Sequence, residues 1–478
     1  MDDATFEIGN MVQILLADPQ SGGLKNVTSG QIAALEPEFS AGGAHVALRG
    51  YDWSHVLHRT RRTQTYQNST FDDVARKVAD RAGLRPGTID PAGAPEDFLQ
   101  QTNETDWEFL WRLAARIDFE VVVVGDQLHF RKAGGQADSE PIALRYGEQL
   151  IAFRPRVTGV QQVEDVVVRG WDPQSTRTIE ASAQPSNLNS SIGIERGRAT
   201  TALGGGTVTV ADRPVSSQDE AAALARSVAA HLGNAFVEAE GTSRGDPRLR
   251  AGSKVRVDGV GDKFSGTYSL SSTTHVFRGV RGYETQFVVS GRAPRGLVDL
   301  ATPAARRSWG ASAVVGVVTQ NQDPDGLGRV RVKYPALGDQ TEGWWARIAS
   351  PSAGDGRGVM MMPIVGDEVL IAFEHGDVRR PIVVGSLFNG KSKPKSLSQP
   401  DGSFALASQK AVVITAAEGV TVNSDKQLQV SSGGSSVTVQ AGSSVTISAQ
   451  TSVTIKAPSI TLQADGVVQI SGSQVMLG

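Results

Sequence analysis

Two hydrophobic patterns alternate along the first 300 residues. Runs such as MVQILLAD (11–18) and HVALRGYDW (45–53) cluster or alternate apolar residues between Gly, Pro and Asp, which is typical of short strands. Apolar residues recur every three or four positions within 69–118 and again within 217–233, which predicts helices there. The hydrophobic pattern therefore predicts a hub domain over 1–300, made of two β units that carry helical insertions.

Polar residues mark where these helices begin. A Ser or Thr that accepts a hydrogen bond from the third helical residue caps a helix, and a Glu at that third position can return the bond. The predicted N-caps are Ser69 or Thr70, Thr105 in a capping box with Glu108, and Ser217 in a second box with Glu220.

A second domain is predicted over residues 310–390. Roughly five short strands follow one another in about 80 residues, which suits a small closed barrel of the OB type. The stretch at 294–310 is interpreted as the linker before this barrel. A Lys-, Ser- and Pro-containing stretch at 391–402 is interpreted as a second linker.

The last segment, 403–478, repeats a three-residue apolar unit about every eight residues. The first and third residues of each triplet are mostly apolar and the middle residue is usually polar, as in a strand with one buried face. A repeat whose every unit is one short strand predicts a β-solenoid rather than a globular domain. The triplets begin at Phe404, Val412, Val420, Leu428, Val437, Val445, Val453, Ile460, Val468 and Val475.

Eight residues are too few for one chain to wind around a core, since single-chain solenoids use about 20 or more residues per coil. Three chains can each supply one side of a triangular prism, with the apolar residues on its axis. Each strand then pairs with strands of the other chains, so no lateral edge stays open. Ten octads stacked about 4.7 Å apart would form a rod about 45 Å long. A low-complexity linker or an amyloid-like tract is the alternative, although a linker would not keep this spacing over ten units. The predicted axial residues are Val412, Val420, Leu428, Val437, Val445, Val453, Ile460 and Val468.

Composition narrows the function classes. Lys and Arg number 47 and Asp and Glu number 50, so the net charge of −3 argues against a nucleic-acid binder. The chain has no Cys, which excludes disulfides, thiolate metal sites and a Cys nucleophile. No secretory signal and no long apolar run is visible, so we expect synthesis in the cytoplasm without a signal peptide.

Candidate chemistry is sparse. His55 and His58 lie three positions apart but have no further ligand at a metal-binding spacing. Glu374 and Asp377 are interpreted as part of a turn rather than as a catalytic pair, and no nucleotide-binding or nucleophile motif appears. Residues 344–345 (WW) and 360–362 (MMM) are interpreted as packing within the barrel or between subunits. We therefore predict no catalytic, cofactor-binding or metal-binding residues.

The barrel segment resembles the OB-fold of spike proteins from contractile injection systems. The matching stretches include GRVRV (328–332), WWAR (344–347), PIVGDEV (363–369) and FEHGD (373–377). Upstream, LRGYDWSHVLHR (48–59) is similar to the hub of the phage late control gene D type. The chain is thereby identified as a member of the VgrG/late control D-type spikes, and an extracellular phage-tail-like particle is favoured over type VI secretion and phage tails.

This resemblance implies tube-like β-barrels in the hub, an OB-fold barrel and an intertwined triple-stranded β-helix. A homotrimer of such chains would adapt a sixfold inner tube to a threefold spike, contact baseplate proteins, and meet the target membrane only during puncture. Effector cargo is a further partner of this kind of spike, and release of the particle from the cell is a further expectation. The N-terminus looks shorter than is usual in the family, so we expect an incomplete first barrel.

The blunt apolar end of the rod would leave three strand edges exposed. We therefore expect a PAAR-type tip protein to dock there, on Val475, Met476, Leu477 and Gly478. The alternative function is a tail-associated, envelope-degrading hydrolase carried on a β-helix. We expect no enzyme, because no hydrolase domain is inserted between 389 and 404 and no catalytic constellation is visible.

Overall fold

The computed structural model describes two units. Residues Met1–Pro394 form one compact unit and Lys395–Gly478 form the other, so the boundary falls inside the predicted linker at 391–402. The described residues are 6–41, 43–133, 140–160, 162–173, 175–187, 189–279, 282–290, 312–338, 342–394, 404–433 and 437–476. The predicted linker at 294–310 lies outside these ranges.

An antiparallel three-stranded sheet opens the chain. Its strands are β1 (Met11–Ala17), β2 (Leu24–Ser40) and β3 (Gly43–Asp52), with β2 in the centre. The tight β2–β3 connection pairs Ser40 with Gly43, and the register runs on to Gly30 and Asp52. β3 is exposed along its whole length, so no other element of this chain packs over this strand of the hairpin.

The first insertion is a mixed α/β subdomain rather than two helices alone. One apolar core joins both helices to two small sheets, with Phe109, Leu110 and Phe130 fully buried at its centre. A short 3-10 helix at Trp53–His58 precedes it. Its elements are β4 (Arg61–Ser69), α1 (Phe71–Ala82), β5 (Arg85–Ile89), β6 (Glu96–Thr105), α2 (Asp106–Arg116), β7 (Phe119–Val124) and β8 (Gln127–Lys132).

The described residues of the second half of the predicted hub form three sheets and two helices. The sheets β10-β15-β19-β18 and β13-β17-β16-β9 enclose a common core around Tyr268 and Phe287, and α4 covers the sheet β12-β11-β14. The elements are β9 (Ile142–Arg145), β10 (Leu150–Val157), β11 (Asp165–Asp172), β12 (Arg177–Ala183), β13 (Ser190–Ile192), α3 (Arg196–Ala202), β14 (Thr207–Val210), α4 (Gln218–Asn234), β15 (Val237–Arg244), β16 (Lys254–Asp258), β17 (Gly266–Ser269), β18 (Ser272–Arg278) and β19 (Gly282–Val289).

The helix caps follow the sequence prediction except in one detail. Thr70 caps α1, and Thr105 with Glu108 forms the capping box of α2. The Ser217 hydroxyl of α4 accepts from the Glu220 backbone N–H at 3.1 Å, as predicted. The predicted return bond is wrong, because the Glu220 carboxylate accepts from the Ser216 backbone N–H instead and turns towards two arginines.

Residues 312–394 contain the OB-fold. Five strands form one sheet in the order β21-β20-β25-β26-β22 around a core that includes Val332, Tyr334 and Ile371. The strands are β20 (Val314–Gln320), β21 (Arg331–Lys333), β22 (Arg347–Ile348), β23 (Ala353–Gly354), β24 (Arg357–Gly358), β25 (Glu368–Phe373) and β26 (Pro381–Ser386). The β25–β26 turn at Glu374–Gly376 occupies the position predicted for it.

The tail forms no strand or helix in its described stretches, 404–433 and 437–476, and all of these residues are exposed. A three-residue strand gains ladder hydrogen bonds only from a neighbouring strand, and within these stretches the chain supplies none. The triple-stranded β-helix therefore stays a prediction that requires other copies of the chain. No helix among the described residues is long and apolar enough to span a membrane.

Candidate assembly surfaces and the joint between hub and OB barrel

The tail presents two rows of exposed apolar side chains. The eight predicted axial residues, Val412 to Val468, are each 50–60% exposed, and the apolar third residues of the triplets from Val422 to Ile470 are 60–73% exposed. An isolated soluble chain rarely leaves so continuous an apolar stripe open to water, so such a stripe marks an interaction surface. The predicted axial residues thus share a sequence register and lack cover within their own chain.

The last residues of the tail continue this stripe. Val475 is 49% exposed and Met476 is 90% exposed. The other two predicted docking residues, Leu477 and Gly478, lie outside the described part of the structure.

The OB barrel carries an apolar loop at 359–365 (VMMMPIV), in which every residue except Pro363 is exposed. Its three methionines are open to solvent, so they do not pack within the barrel as one of the two sequence interpretations had it. Trp344 stacks on Phe98 of β6 with 5.5 Å between ring centroids, which is a contact to the hub of the same chain. Trp345 lies under the guanidinium groups of Arg329 and Arg331.

The β2–β3 hairpin is amphipathic. Alternate residues on one face are apolar and exposed: Leu35, Phe39, Val46 and Leu48. The opposite face carries ion pairs, among them Arg49 with Glu36 at 2.6 Å. The exposed apolar face of such a hairpin is typical of an interaction surface.

Five charged side chains meet where the OB barrel contacts the hub, and we call this group the joint. Arg379 of the OB barrel donates to Glu96 of β6 at 3.1 Å, to Glu220 of α4 at 3.0 Å and to Asp377 at 2.7 Å. Arg116, at the end of α2, donates to both of these glutamates. Its distance to Glu96 is 3.0 Å. Each glutamate therefore lies between two arginines, one from either side of the contact.

The joint is shielded from water, so its charges interact strongly. Its five side chains are 13–25% exposed. Burial opposes ionisation of Glu220, but the positive charges of Arg379 and Arg116 outweigh it and lower the pKa of Glu220 to about 2. Burial likewise raises the pKa of Asp377, but the positive charge and hydrogen bonds of Arg379 outweigh it and hold that pKa below its ordinary value. Glu220 and Asp377 are thus ionised at neutral pH and act as fixed acceptors.

The residues considered for chemistry have structural partners. His58 stacks on Trp107, and a ring nitrogen of His55 lies 2.7 Å from the Asp52 carbonyl oxygen. Glu374 pairs with Arg380 at 3.3 Å, so the FEHGD turn is held by ion pairs on both of its carboxylates. Within the described ranges no group of three His, Cys, Asp or Glu side chains could hold a metal ion.

No local sequence pattern predicts the joint. Glu96 and Arg379 are 283 positions apart and each resembles many other surface charges of the chain. The position of Glu220 in a predicted capping box pointed to a purely local role. Only the folded arrangement brings these residues together.

Two family profiles match the chain. The profile of the Alg8 N-terminal domain matches residues 2–278, which is more than half of the chain. The profile of the type VI secretion system/phage-baseplate injector OB domain matches residues 314–388.

Similar proteins are spike and tail proteins. Type VI secretion system spike protein VgrG4b of Pseudomonas aeruginosa is 25% identical over 379 residues, which cover 68% of this chain and 45% of that protein. VgrG3 of Vibrio cholerae is 33% identical over 82 residues, covering 16% of this chain and 8% of that protein. The chain thus spans less than half the length of these curated relatives.

Solved structures with a similar course of the chain are also known. The E. coli c3393 protein, described as a component of the type VI secretion system with structural similarity to T4 tail proteins gp27 and gp5, has 16% identity and a TM-score of 0.48. The alignment covers 78% of this chain and 87% of that chain. The 43 kDa tail protein of prophage MuSo2 from Shewanella oneidensis has 15% identity and a TM-score of 0.43, with 58% and 88% of the two chains covered.

Proposed function

We propose that this chain, which belongs to the Alg8 N-terminal domain family, works as a homotrimer. It is a mainly β spike protein of the VgrG type with a baseplate injector OB domain. In this proposal it is the central spike and hub of a contractile injection system. It caps the inner tube, adapts the sixfold tube to a threefold spike, and punctures the target envelope when the sheath contracts. It acts within an injection particle that is released from the cell.

The observation that carries the proposal is the uncovered apolar stripe of the tail. Val412 to Val468 repeat at strand-compatible spacing, yet each is at least half exposed in the single chain. Three copies would place these residues on a common axis and satisfy the backbone by pairing between chains. Burial of apolar surface favours that association, because it contributes a free energy of about 25 cal/mol per Å².

Rigidity is the proposed mechanism. Strands paired between chains cannot slip by one position without moving every axial side chain to the outer face. The needle therefore resists both sliding and bending under an axial load. The hub and needle are parts of one chain, so force applied to the hub reaches the tip through a covalent connection.

The exposed surfaces suggest where partners bind. We assign the apolar face of the β2–β3 hairpin to the ring of hubs and the inner tube, and the exposed loop at 359–365 to contacts between OB barrels. A PAAR-like tip protein would cap the end of the needle at 475–478. Baseplate proteins and effector cargo complete the set, and nucleic acid does not belong to it.

The trimer is tested by measuring the mass of the purified protein by light scattering. We expect three times the chain mass for the full chain and a much weaker association for the chain that ends at residue 402. A full-length monomer would contradict the proposal. Equal trimers with and without residues 403–478 would assign trimerisation to the hub or OB barrel instead.

The competing function is an envelope-degrading hydrolase, and we propose that the chain is not an enzyme. The carboxylates that could serve a hydrolase in the OB barrel, Glu374 and Asp377, are tied up in ion pairs. Incubation of the purified trimer with peptidoglycan and with envelope polysaccharide separates the two functions. Turnover that copurifies with the trimer and is lost on substitution of a single carboxylate would support the hydrolase.

A further inference from the structure

We propose that the joint locks the OB barrel onto the hub, so that both move as one rigid body when force passes through the spike, with Arg379 as the residue that sets their relative position. The inference rests on the proposed function for its mechanical meaning. Its structural basis is the described contact between the two parts within the unit Met1–Pro394.

The geometry of Arg379 makes it suited to this role. Its guanidinium donates through Nη1 to Glu96 of β6, through Nη2 to Glu220 of α4, and through Nε and Nη2 to Asp377. A planar guanidinium has its donors in fixed directions, so simultaneous bonds to three carboxylates define its orientation. Asp377 and Arg379 belong to one loop of the OB barrel, and the orientation of Arg379 is therefore also that of the loop.

Arg116 completes the arrangement from the hub side. It bonds to both glutamates that Arg379 uses, and its guanidinium lies over the ring of Phe71 at 4.9 Å. The ends of β6, α2 and α4 are thereby tied to one another before they meet the OB barrel. The joint links three hub elements to one OB loop, rather than a single pair of side chains.

An apolar contact lies next to the charges. Phe98 is two positions after Glu96 on β6, so their side chains point to the same face of the strand. Phe98 is nearly fully buried and stacks on Trp344 of the OB barrel. The ion pairs thus supply direction, and the stacked rings add contact area that excludes water from the same face.

Removing one partner of a buried ion-pair network is strongly destabilising, because it leaves charges buried without compensation. The loss of Arg379 would leave Glu96, Glu220 and Asp377 with one remaining guanidinium, that of Arg116. The OB barrel keeps its own core in that case. The expected result is separation of the barrel from the hub, rather than general unfolding.

The test measures hub and OB stability separately in the full-length protein. Samples in a urea series receive a short pulse of deuterium, and mass spectrometry reads peptides from β15–β19 and from β20–β26. In the wild type we expect the two sets to become labelled at the same urea concentration. In Arg379→Met the OB peptides should become labelled at a clearly lower concentration than the hub peptides.

Arg329→Met is the matched control. Arg329 is as buried as Arg379 and pairs with Asp323 at 2.8 Å and with Asp325, but all of its partners belong to the OB barrel. With the joint intact, its loss should lower both midpoints together. Arg379→Lys keeps the positive charge but lacks the planar guanidinium. It should separate the labelling midpoints of the hub and OB peptides in the same direction as Arg379→Met.

Separate midpoints in the wild type would overturn the inference. So would coincident midpoints in Arg379→Met, or full separation in the Arg329→Met control. Light scattering of the same samples reports the trimer independently. A wild-type monomer with coincident midpoints would contradict the proposed function while leaving the joint intact.

Discussion

Within one octad of the tail, neighbouring residues are predicted to face opposite sides of the needle wall. Val445 belongs to the predicted axial row, and Thr446 follows it on the alternate face of the same triplet. The two positions share the same backbone and the same distance from both ends of the tail. The same substitution at these two positions therefore changes the composition of the tail similarly and differs mainly in whether the new side chain is buried in the trimer.

We predict that Val445→Asp greatly weakens the trimer, whereas Thr446→Asp leaves it intact. Three carboxylates at one level of a dry axis would repel one another and lose their hydration, which costs several kcal/mol per ion. At the outer position the same three charges stay in water. Light scattering at equal protein concentrations measures the difference, and equal behaviour of the two variants would contradict the assignment of faces.

Glu220 gives the joint a pH dependence of defined sign. Its pKa is about 2 in the folded protein against an ordinary value of 4.5, so its ionised form is favoured by folding. The stabilisation is complete above about pH 4.5 and is lost as the pH falls towards 2.

We predict that acidification from pH 5 to pH 3 lowers the OB labelling midpoint of the wild type more than that of Glu220→Gln. The Gln variant lacks the proton-binding group but keeps its size and one acceptor. Asp80→Asn, which replaces an exposed carboxylate of α1, serves as the control and should behave as the wild type does. The same midpoint loss in Glu220→Gln and wild type would show that other groups cause the pH effect.

At the scale of elements, the helix ends depend on local hydrogen bonds. The Thr70 hydroxyl accepts from the Asp73 backbone N–H at 3.2 Å, and the Asp73 carboxylate accepts from the Thr70 backbone N–H at 3.2 Å. Gly83 caps the C-terminal end of α1, and its φ of 71° is left-handed and favours glycine.

We predict that Thr70→Ala lowers the free energy of opening of α1 by about 1 kcal/mol, because it removes the N-cap acceptor. Thr70→Ser keeps the hydroxyl and should lose much less. Hydrogen exchange of the α1 amides measures both. An equal loss in the two variants would point to the methyl group rather than to the cap.

These elements also show what the sequence could predict and what it could not. The bounds of α1, α2 and α4 follow from apolar spacing and caps within a few positions, and the alternation along β25 reflects one buried face. α3 escaped prediction because its seven residues, RGRATTA, have neither an apolar stripe nor a side-chain cap. The partners of Arg379 could not be predicted, since nothing local distinguishes Glu96 from other exposed-looking glutamates.

At the scale of the whole molecule, the predicted needle and the joint would depend on different forces. From residue 403 on, the sequence has three cationic and three anionic side chains, so the tail is neutral overall and its repeat is apolar or hydroxylated. The hub and OB barrel instead meet through a charged cluster. Salt should therefore affect the two units differently.

We predict that the trimer persists from about 0.05 M to 1 M NaCl, where the Debye length falls from more than 10 Å to about 3 Å. Apolar burial and backbone pairing do not depend on long-range charge. Light scattering across this range is the measurement. Dissociation at high salt would mean that charges of the hub or OB barrel hold the trimer together.

If the tail forms the predicted needle, its eight-residue spacing makes the length of the needle independent of the structure of each layer. Loss of residues 441–448 would bring Val453 to the spacing from Val437 that Val445 now has, so the remaining octads would keep their faces. The rod would become shorter by one layer of about 4.7 Å. Addition or removal of whole octads would thus change the reach of the predicted needle and leave the contacts within each remaining layer as they are.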